Sequence, residues 1–284
     1  MLFDIVITSV EKDKFILQHN LNSIKKYVKN YRRIIVVSNN KLTDIEGVEW
    51  FDEKKYPFKL KDVYDNLCNY GKNRNRKCSY INQLLKLYAH KIIPDLTENI
   101  LICDSDIIFI KETTFMQDDK PLYGNRIVKR TSYQPYFEHF LLLNDNFDFL
   151  NSTDNIKLAK NNKLVSGICH HIVYNKFIIN ELIDLIEKKH NVIFWKYYLN
   201  KSVEGKKEPA NCELYYNYVN KFHSDKIIIR EIKWLERPAD SGSSNSVINN
   251  FKIQFHKDRN CALNNGCSYI AYHSYDRYLI EENC

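Results

Sequence analysis

The chain has 284 residues, of which 44% are hydrophobic and 27% charged, and its 42 Lys and Arg against 35 Asp and Glu give a formal charge of +7. This composition excludes a mainly disordered or fibrous protein and allows a substantial buried core, so we expect one domain over residues 1–284. Without a signal peptide, a transmembrane segment or a recognisable nucleic-acid-binding pattern, the sequence predicts a cytoplasmic protein.

The first elements form a β-α-β unit. Residues 3–10 are apolar and β-branched, residues 14–28 carry apolar side chains at helical spacing, and residues 33–37 are again β-branched. Such units build parallel sheets whose ligand sites lie at the carboxyl ends of the strands. Thr8 and Ser9, at the end of the first strand, are therefore predicted to lie at such an edge.

The next region is predicted as a short strand, a loop and a helix. The strand covers residues 48–51, and the loop continues from residue 56 to the basic stretch that ends at Lys77. Residues 79–93 then place apolar side chains on one face of a helix. Pro94 ends this helix, because proline lacks the backbone N–H and clashes with the preceding turn.

Asp104 and Asp106 interrupt an apolar strand predicted over residues 100–110. An unpaired buried carboxylate is costly, so two of them need a compensating cation or a strand end that reaches solvent. Aspartates separated by one residue can both offer oxygen to one hard cation, Mg²⁺ or Mn²⁺, and leave coordination sites for phosphates. A simple turn at a strand end is the alternative interpretation.

The second half is predicted as shorter elements. Strands are expected over residues 121–128, 226–232, 252–256 and 268–273, an apolar stretch over 163–173, helices over 176–189 and from Glu213, and a Ser/Asn-rich loop over 241–250. The helix over residues 176–189 is expected to turn Phe177, Leu182, Leu185 and Ile186 inward.

Residues 80–94 and 100–110 together resemble the helix and the Asp-x-Asp strand of GT-A glycosyltransferases, such as glycogenin and the bacterial lipopolysaccharide sugar transferases. The resemblance implies a Rossmann-like α/β fold with a mostly parallel mixed sheet flanked by helices. It implies a nucleotide-binding half at residues 1–110 and an acceptor half at residues 111–284. The implied reaction moves a hexose or N-acetylhexosamine from a UDP-sugar to a hydroxyl of a glycan or protein acceptor, with Mn²⁺ or Mg²⁺ on the diphosphate.

The same resemblance assigns residues to the site. Thr8 and Ser9 are expected near the uridine base, Gln83 and Lys86 near the donor, and Asp104 and Asp106 on the metal, with Asp106 also catalytic. His273 is the preferred late metal ligand, because it follows a short apolar strand near the C-terminus, as the family's ligand does. His256 is the alternative.

Residues 166–171 resemble the segment that faces the donor sugar in this fold. Gly167 would let the backbone approach a ligand closely, while Ser166 and His171 would border the donor and the histidine could bind its hydroxyls; core packing is the other interpretation. Glu213 is predicted as the acceptor-side carboxylate and, in an inverting enzyme, as the general base. A first-turn glutamate that complements the helix dipole is the alternative.

Two other classes share parts of this pattern. Haloacid-dehalogenase-like phosphatases also place Asp-x-Asp at a strand end, with a nucleophilic aspartate, but their motif opens the domain, whereas here a β-α-β unit and a further helix precede it. A catalytically inactive module that binds a nucleotide-sugar is the second alternative. The intact Asp104 and Asp106 favour activity, because two buried carboxylates without a cation would destabilise the fold.

Overall fold

A five-stranded sheet lies at the centre of the computed structural model, which describes residues 2–69, 77–124, 126–129, 163–167, 169–204, 210–238 and 244–273. In these ranges the strands are β1 (Phe3–Thr8), β2 (Tyr31–Ser38), β3 (Val48–Asp52), β4 (Asn99–Asp104), β5 (Ile107–Phe109), β6 (Met116–Gln117), β7 (Lys120–Gly124), β8 (Arg126–Lys129), β9 (Lys163–Ser166), β10 (His171–Asn175), β11 (Ile228–Arg230), β12 (Trp234–Pro238) and β13 (Tyr269–His273). The helices are α1 (Lys14–Tyr27), α2 (Leu60–Asn69), α3 (Lys77–Ile92), α4 (Lys176–His190), α5 (Phe194–Glu204), α6 (Asn211–Phe222) and α7 (Ser244–Asn264).

The central sheet has the strand order β10-β4-β1-β2-β3, and all of its neighbours are parallel except β10, which runs antiparallel to β4. The predicted α/β class, with a mostly parallel mixed sheet flanked by helices, is confirmed. Because Thr8 lies in register with both Val37 and Asp104, the carboxyl ends of three neighbouring strands meet at one edge. We call this edge the carboxyl edge of the sheet.

The first β-α-β unit folds as its sequence pattern predicts. All six residues of β1 are buried, and α1 buries its apolar side chains at positions 16, 17, 21 and 24, which recur at helical spacing. The burial of β1 on both faces explains its continuous apolar character, which is typical of a strand inside a parallel sheet.

The helix α4 is also confirmed, but its inward face is narrower than predicted. Asn175 caps its amino end by accepting hydrogen bonds from the N–H groups of Phe177 and Ile178. Leu182 and Ile186 are buried as expected, whereas Phe177 and Leu185 are 69% and 40% exposed. The prediction for these two residues is wrong, because the neighbouring elements cover only one side of the helix.

Three smaller sheets surround the central one, with the strand orders β11-β7-β6, β12-β13-β5 and β8-β9. The second of them joins distant parts of the chain, since β13 pairs antiparallel with β5, directly after the two predicted metal-binding aspartates. A small separate core of apolar side chains, including Ile16, Ile108 and Ile270, packs between α1, β5, β13 and α7.

The strand predicted over residues 252–256 is wrong, and so is most of the preceding loop, because α7 covers residues 244–264. The apolar Ile253 and Phe255 fit a period of two, but Phe251, Phe255 and Ala262 pack on the small core at helical spacing. Ile253 is 61% exposed, which fits the outer face of a helix.

The remaining differences concern short elements. The loop from residue 56 contains α2, and α5 was not predicted. The strand over residues 226–232 shortens to β11, because Ser224–Lys226 form a 3-10 turn. Across the described ranges, no helix combines the length and apolar character needed to cross a membrane.

Candidate functional site

A tight turn between β4 and β5 carries Asp104 and Asp106, and hydrogen bonds from three other elements fix its backbone. The Asp104 N–H donates to the His170 carbonyl over 2.9 Å, and the Asp106 carbonyl accepts from the Tyr272 N–H over 2.9 Å. The Asn20 side-chain amide donates to the carbonyls of Asp104 at 3.2 Å and Ile107 at 2.7 Å. The turn is therefore anchored to α1, β13 and the segment that precedes β10.

Asn20 is a residue that the sequence reasoning missed. It lies on the buried face of α1 and is 0% exposed, between the apolar Leu17 and Leu21. A buried polar side chain requires hydrogen bonds, and the Asn20 Nδ2 atom donates both of its own to the turn that carries Asp104 and Asp106, which we call the aspartate turn. The signal available in the sequence was this single polar residue inside the apolar pattern of the helix.

Charged groups of both signs meet at the turn. Lys86, on α3, is 4% exposed and donates a hydrogen bond to the Asp104 carboxylate. Burial alone lowers the pKa of Lys86, but the Asp104 carboxylate outweighs it, so this pKa is raised and the ammonium stays charged. The pKa of Asp106 is raised to about 8. Burial is the largest cause, followed by the Asp104 carboxylate and then by Asp13.

Asp13, just before α1, is a further acidic group that the sequence reasoning did not select. Asp104 and Asp13 both lie in electrostatic range of Asp106, while Lys86 contacts Asp104. Carboxylates gathered in this way offer oxygen atoms to a hard cation.

The donor atoms at this turn suit a hard divalent cation, because Asp104 and Asp106 both offer carboxylate oxygen. No group of three or more His, Cys, Asp and Glu side chains that could hold a metal occurs within the described residues. At His273 only the backbone is described: it ends β13 opposite Pro238, one residue after the N–H of Tyr272 that bonds to Asp106. His256 instead lies on the exposed face of α7, and the strand predicted to carry it is absent.

The residues at the end of β1 lie at the same edge. Thr8 is 4% exposed, is in register with Asp104, and donates its hydroxyl hydrogen to the Asn82 side chain. Ser9 is 6% exposed, and its hydroxyl has no hydrogen-bond partner in the structure. The Gln83 side chain accepts a hydrogen bond from the Asn211 N–H over 2.9 Å, which ties α3 to the start of α6.

Ser166, Gly167 and Glu213 are buried and pack together, so they do not line an open binding surface. The Ser166 hydroxyl donates to one Glu213 oxygen over 2.8 Å, and the Asn217 amide donates to the other over 3.0 Å. Glu213 is only 1% exposed, so in this conformation an acceptor hydroxyl does not reach the predicted base. A Cβ atom at Gly167 would overlap the Tyr216 ring, so close packing, not approach to a ligand, requires this glycine here.

His171 is a core residue at the start of β10. It is 3% exposed, and its ring packs edge-on against Phe115 at 5.0 Å and Tyr269 at 5.4 Å between centroids. Burial, and then the nearby Arg230, lower its pKa to about 3, so the ring is neutral near pH 7. Its Nε2 atom has no hydrogen-bond partner in the structure.

The structure thus brings together one part of the predicted site. Thr8, Ser9, Lys86, Asp104 and Asp106 lie at the carboxyl edge of the sheet, and the backbone of β13 reaches the same turn. Ser166, Gly167, His171 and Glu213 lie in the packing beside it.

No family model matches this chain, and no curated protein matches its sequence. Solved structures similar to it include the apo form of mouse xyloside xylosyltransferase 1, with 11% identity over 99% of this chain and 100% of that chain and a TM-score of 0.41. The galactosyltransferase LgtC in complex with donor and acceptor sugar analogues covers 96% of this chain and 87% of its own, with 11% identity and a TM-score of 0.45. The mannosyltransferase Ktr4p from S. cerevisiae in complex with GDP covers 80% and 68%, with 11% identity and a TM-score of 0.49. All three are glycosyltransferases, and what this chain shares with them is the fold.

Proposed function

We propose that the chain is a glycosyltransferase that moves a hexose or N-acetylhexosamine from a UDP-sugar to a hydroxyl of a glycan or protein acceptor. One observation carries the proposal: two aspartates stand at the carboxyl edge of a mostly parallel sheet, in an anchored turn, where Lys86 pairs with Asp104. Ligands of α/β sheets bind at this edge, and the oxygen atoms of two aspartates suit the divalent cation that accompanies a diphosphate.

Asp104 and Asp106 would hold Mn²⁺ or Mg²⁺, with His273 as the proposed third ligand from the protein. When bound, the cation would neutralise the diphosphate and act as a Lewis acid on the departing nucleoside diphosphate. The anchored turn keeps the two carboxylates close together before any ligand binds, which reduces the entropy lost on binding.

Lys86 holds Asp104 in place and keeps a positive charge beside the proposed diphosphate position. Ser9 is the end-of-strand residue with a hydroxyl that has no partner, so we propose that it hydrogen-bonds the nucleoside. Thr8 and Gln83 act as positioning residues in this proposal, since Thr8 bonds to Asn82 and Gln83 to the backbone of Asn211.

The segment over residues 166–171 would border the transferred sugar mainly through its backbone, because its side chains serve the packing. The His170 carbonyl fixes the Asp104 backbone, and Ser166 is occupied by Glu213. We therefore propose Glu213 as a positioning residue for this segment rather than as the general base. Residues 1–110 and 111–284 would both contribute to the site, since β13 completes the surroundings of the aspartate turn.

Calorimetric titration with UDP, with and without Mn²⁺, tests the proposal on the wild type, the Asp104→Ala variant and the control Asp65→Ala, which removes an exposed aspartate of α2. We expect binding that requires both Mn²⁺ and Asp104 and that Asp65→Ala leaves unchanged. Absence of UDP binding with and without the metal would reject the proposal in favour of a phosphatase or an inactive module that binds a different ligand.

A further inference from the structure

Arg230 is a half-buried cation at the end of β11, opposite Gly124 of β7. Its guanidinium lies over the Phe115 ring, 5.4 Å from the ring centroid. The Nε and Nη2 atoms are buried and have no hydrogen-bond partner, and no ion pair joins Arg230 to a carboxylate of the described residues. A guanidinium normally satisfies its five N–H donors, so this arrangement lacks an acceptor.

Two other arginines of the chain, by contrast, form ion pairs with carboxylates. Arg32 contacts the Asp4 carboxylate at 2.6 Å, and Arg237 contacts the Asp258 carboxylate at 2.9 Å. Both carboxylates are fully buried, so each of these arginines balances a buried negative charge. Arg230 instead faces His171 and Tyr269, and burial disfavours the charged form of both side chains.

The position of Arg230 relates it to the aspartate turn. Phe115, under its guanidinium, packs on the His171 ring at 5.0 Å, and His171 pairs with Cys103, the neighbour of Asp104. The preceding residue, His170, accepts the hydrogen bond from the Asp104 N–H. Arg230 therefore lies on the side of the site bordered by residues 166–171, away from Lys86 and the end of β1.

We propose that Arg230 binds an oxyanion, a carboxylate or a phosphate, carried by the sugar or the acceptor that lies beside Asp104. The planar guanidinium matches both groups with two parallel hydrogen bonds, and Phe115 supports its flat face. That this ligand is a sugar substrate rests on the proposed function, whereas binding of an oxyanion by Arg230 does not. The enzyme would accordingly prefer a uronic-acid donor or a phosphorylated acceptor over the neutral counterpart.

Thermal unfolding of Arg230→Gln and Arg237→Gln tests whether Arg230 lacks a partner in the free protein. Removing Arg237 leaves the buried Asp258 without its cation, so its melting temperature should fall. Removing Arg230 leaves no carboxylate of the described residues unpaired, so its melting temperature should stay equal or rise. Inorganic phosphate should raise the melting temperature of the wild type more than sodium chloride of equal ionic strength, and should lose this effect in Arg230→Gln. A fall as large as that of Arg237→Gln, or an unchanged phosphate effect, would overturn the proposal.

Binding measurements then distinguish the two sources of the oxyanion. The donor arm compares UDP-glucuronic acid with UDP-glucose, and the acceptor arm compares glucose 6-phosphate with glucose on the UDP-saturated protein. Arg230→Gln should weaken the anionic ligand of one arm about tenfold and leave its neutral counterpart unchanged. Lys233→Gln, which removes an exposed lysine near Arg230 in sequence, is the matched charge control.

Equal affinities of wild type and Arg230→Gln for both anionic ligands would also overturn the proposal. If UDP fails to bind the wild type, the proposed function fails by itself, and the phosphate effect on the melting temperature still decides the role of Arg230.

Discussion

Carboxylates lie at both edges of the central sheet, and their surroundings differ. At the amino edge, Asp4 is 0% exposed and accepts two hydrogen bonds from Arg32, at 2.9 and 2.6 Å, and one from the Thr97 N–H at 2.9 Å. Arg33 adds a second cation at 3.5 Å. The fold itself therefore completes the environment of this carboxylate.

The carboxyl edge gathers carboxylates instead. Lys86 contacts Asp104, and Asp104 and Asp13 both lie in electrostatic range of Asp106. The pKa of Asp4 is held below its usual value by its partners despite burial, whereas the pKa of Asp106 is raised. The difference is consistent with a structural role for Asp4 and supports our proposal that the aspartate turn binds a cation together with a ligand.

The largest expected effect separates function from stability at the carboxyl edge. Asp106→Asn keeps the shape of the turn but removes an oxygen ligand, so turnover of the UDP-sugar should fall by about 1,000-fold. The free energy of unfolding should not fall, because a carboxylate that is costly to ionise beside Asp104 is replaced by a neutral amide. Steady-state kinetics and chemical denaturation measure the two quantities. A stability loss that accounts for the missing turnover would assign Asp106 a structural role.

At the amino edge we expect the opposite result, a loss of stability without a loss of ligand binding. Asp4→Asn leaves Arg32 and Arg33 without their shared carboxylate, and we expect the free energy of unfolding to fall by about 3 kcal/mol. Affinity for UDP and Mn²⁺, measured by calorimetry at a temperature where the variant remains folded, should be unchanged. Loss of UDP affinity in this variant would show that the two edges are coupled.

The pH dependence of Asp4 gives the same comparison a second readout. Since its folded pKa lies below the unfolded value of about 3.9, its contribution to stability is complete above that pH and is lost as the pH falls through the folded pKa. The stability difference between wild type and Asp4→Asn should therefore shrink in acid.

Lys86→Met should make the stability of the carboxyl edge depend on metal. Without the lysine, Asp104 loses its described cation, and in the presence of a chelator the free energy of unfolding should fall by about 2 kcal/mol. A bound cation can replace the lost charge, so Mn²⁺ should raise the melting temperature of Lys86→Met more than that of the wild type. The Asp104→Ala variant serves as the control that Mn²⁺ should not stabilise. Equal responses of wild type and Lys86→Met would mean that the turn does not hold the metal.

The sequence locates the aspartate pair at the end of a buried strand because its signals are local: the apolar run, the helix before it and the stop at Pro94 all lie within residues 79–110, and the β-α-β unit follows from periodicity. The single strand predicted over residues 100–110 is instead two strands, β4 and β5, joined by the turn that was the alternative interpretation. The segment with Ile253 and Phe255 fits both a strand and a helix, and packing of Phe251 and Ala262 on the small core decides for the helix.

Contacts between distant segments explain the remaining failures. Glu213 has the sequence context of an exposed first-turn glutamate, but Ser166, 47 residues earlier in the chain, meets it in the interior. Arg230 and Arg32 look alike in sequence, and only the folded chain shows that Arg32 pairs with a carboxylate whereas Arg230 contacts none in the part of the chain that the structure describes. Pairing of buried charges is set by tertiary distance, which periodicity does not encode.

The smallest effect concerns His171, which gives the carboxyl edge a pH window different from that of Asp4. Its pKa falls from 6.5 to about 3 on folding, because burial and Arg230 disfavour the charged ring. The unfolded chain therefore binds a proton below pH 6.5 that the folded chain does not, so stability is lost as the pH falls from 6.5 towards 3. At pH 5.5 this loss amounts to about 1.4 kcal/mol.

Replacing the histidine by an aromatic ring that does not titrate should remove its contribution to the pH dependence of stability. His171→Phe fits among Phe109, Phe115 and Tyr269, and its free energy of unfolding should change less between pH 7 and pH 5.5 than that of the wild type. Part of the slope will remain, because burial lowers the pKa of His90 to about 4 and gives a second contribution of the same sign. If the free energy of unfolding, measured by chemical denaturation, changes equally between pH 7 and pH 5.5 in wild type and in His171→Phe, then His171 is protonated in the folded protein. A charged His171 beside Arg230 would then require a bound or nearby anion, which would bring the stability of this edge under the control of the same ligand that we propose for Arg230.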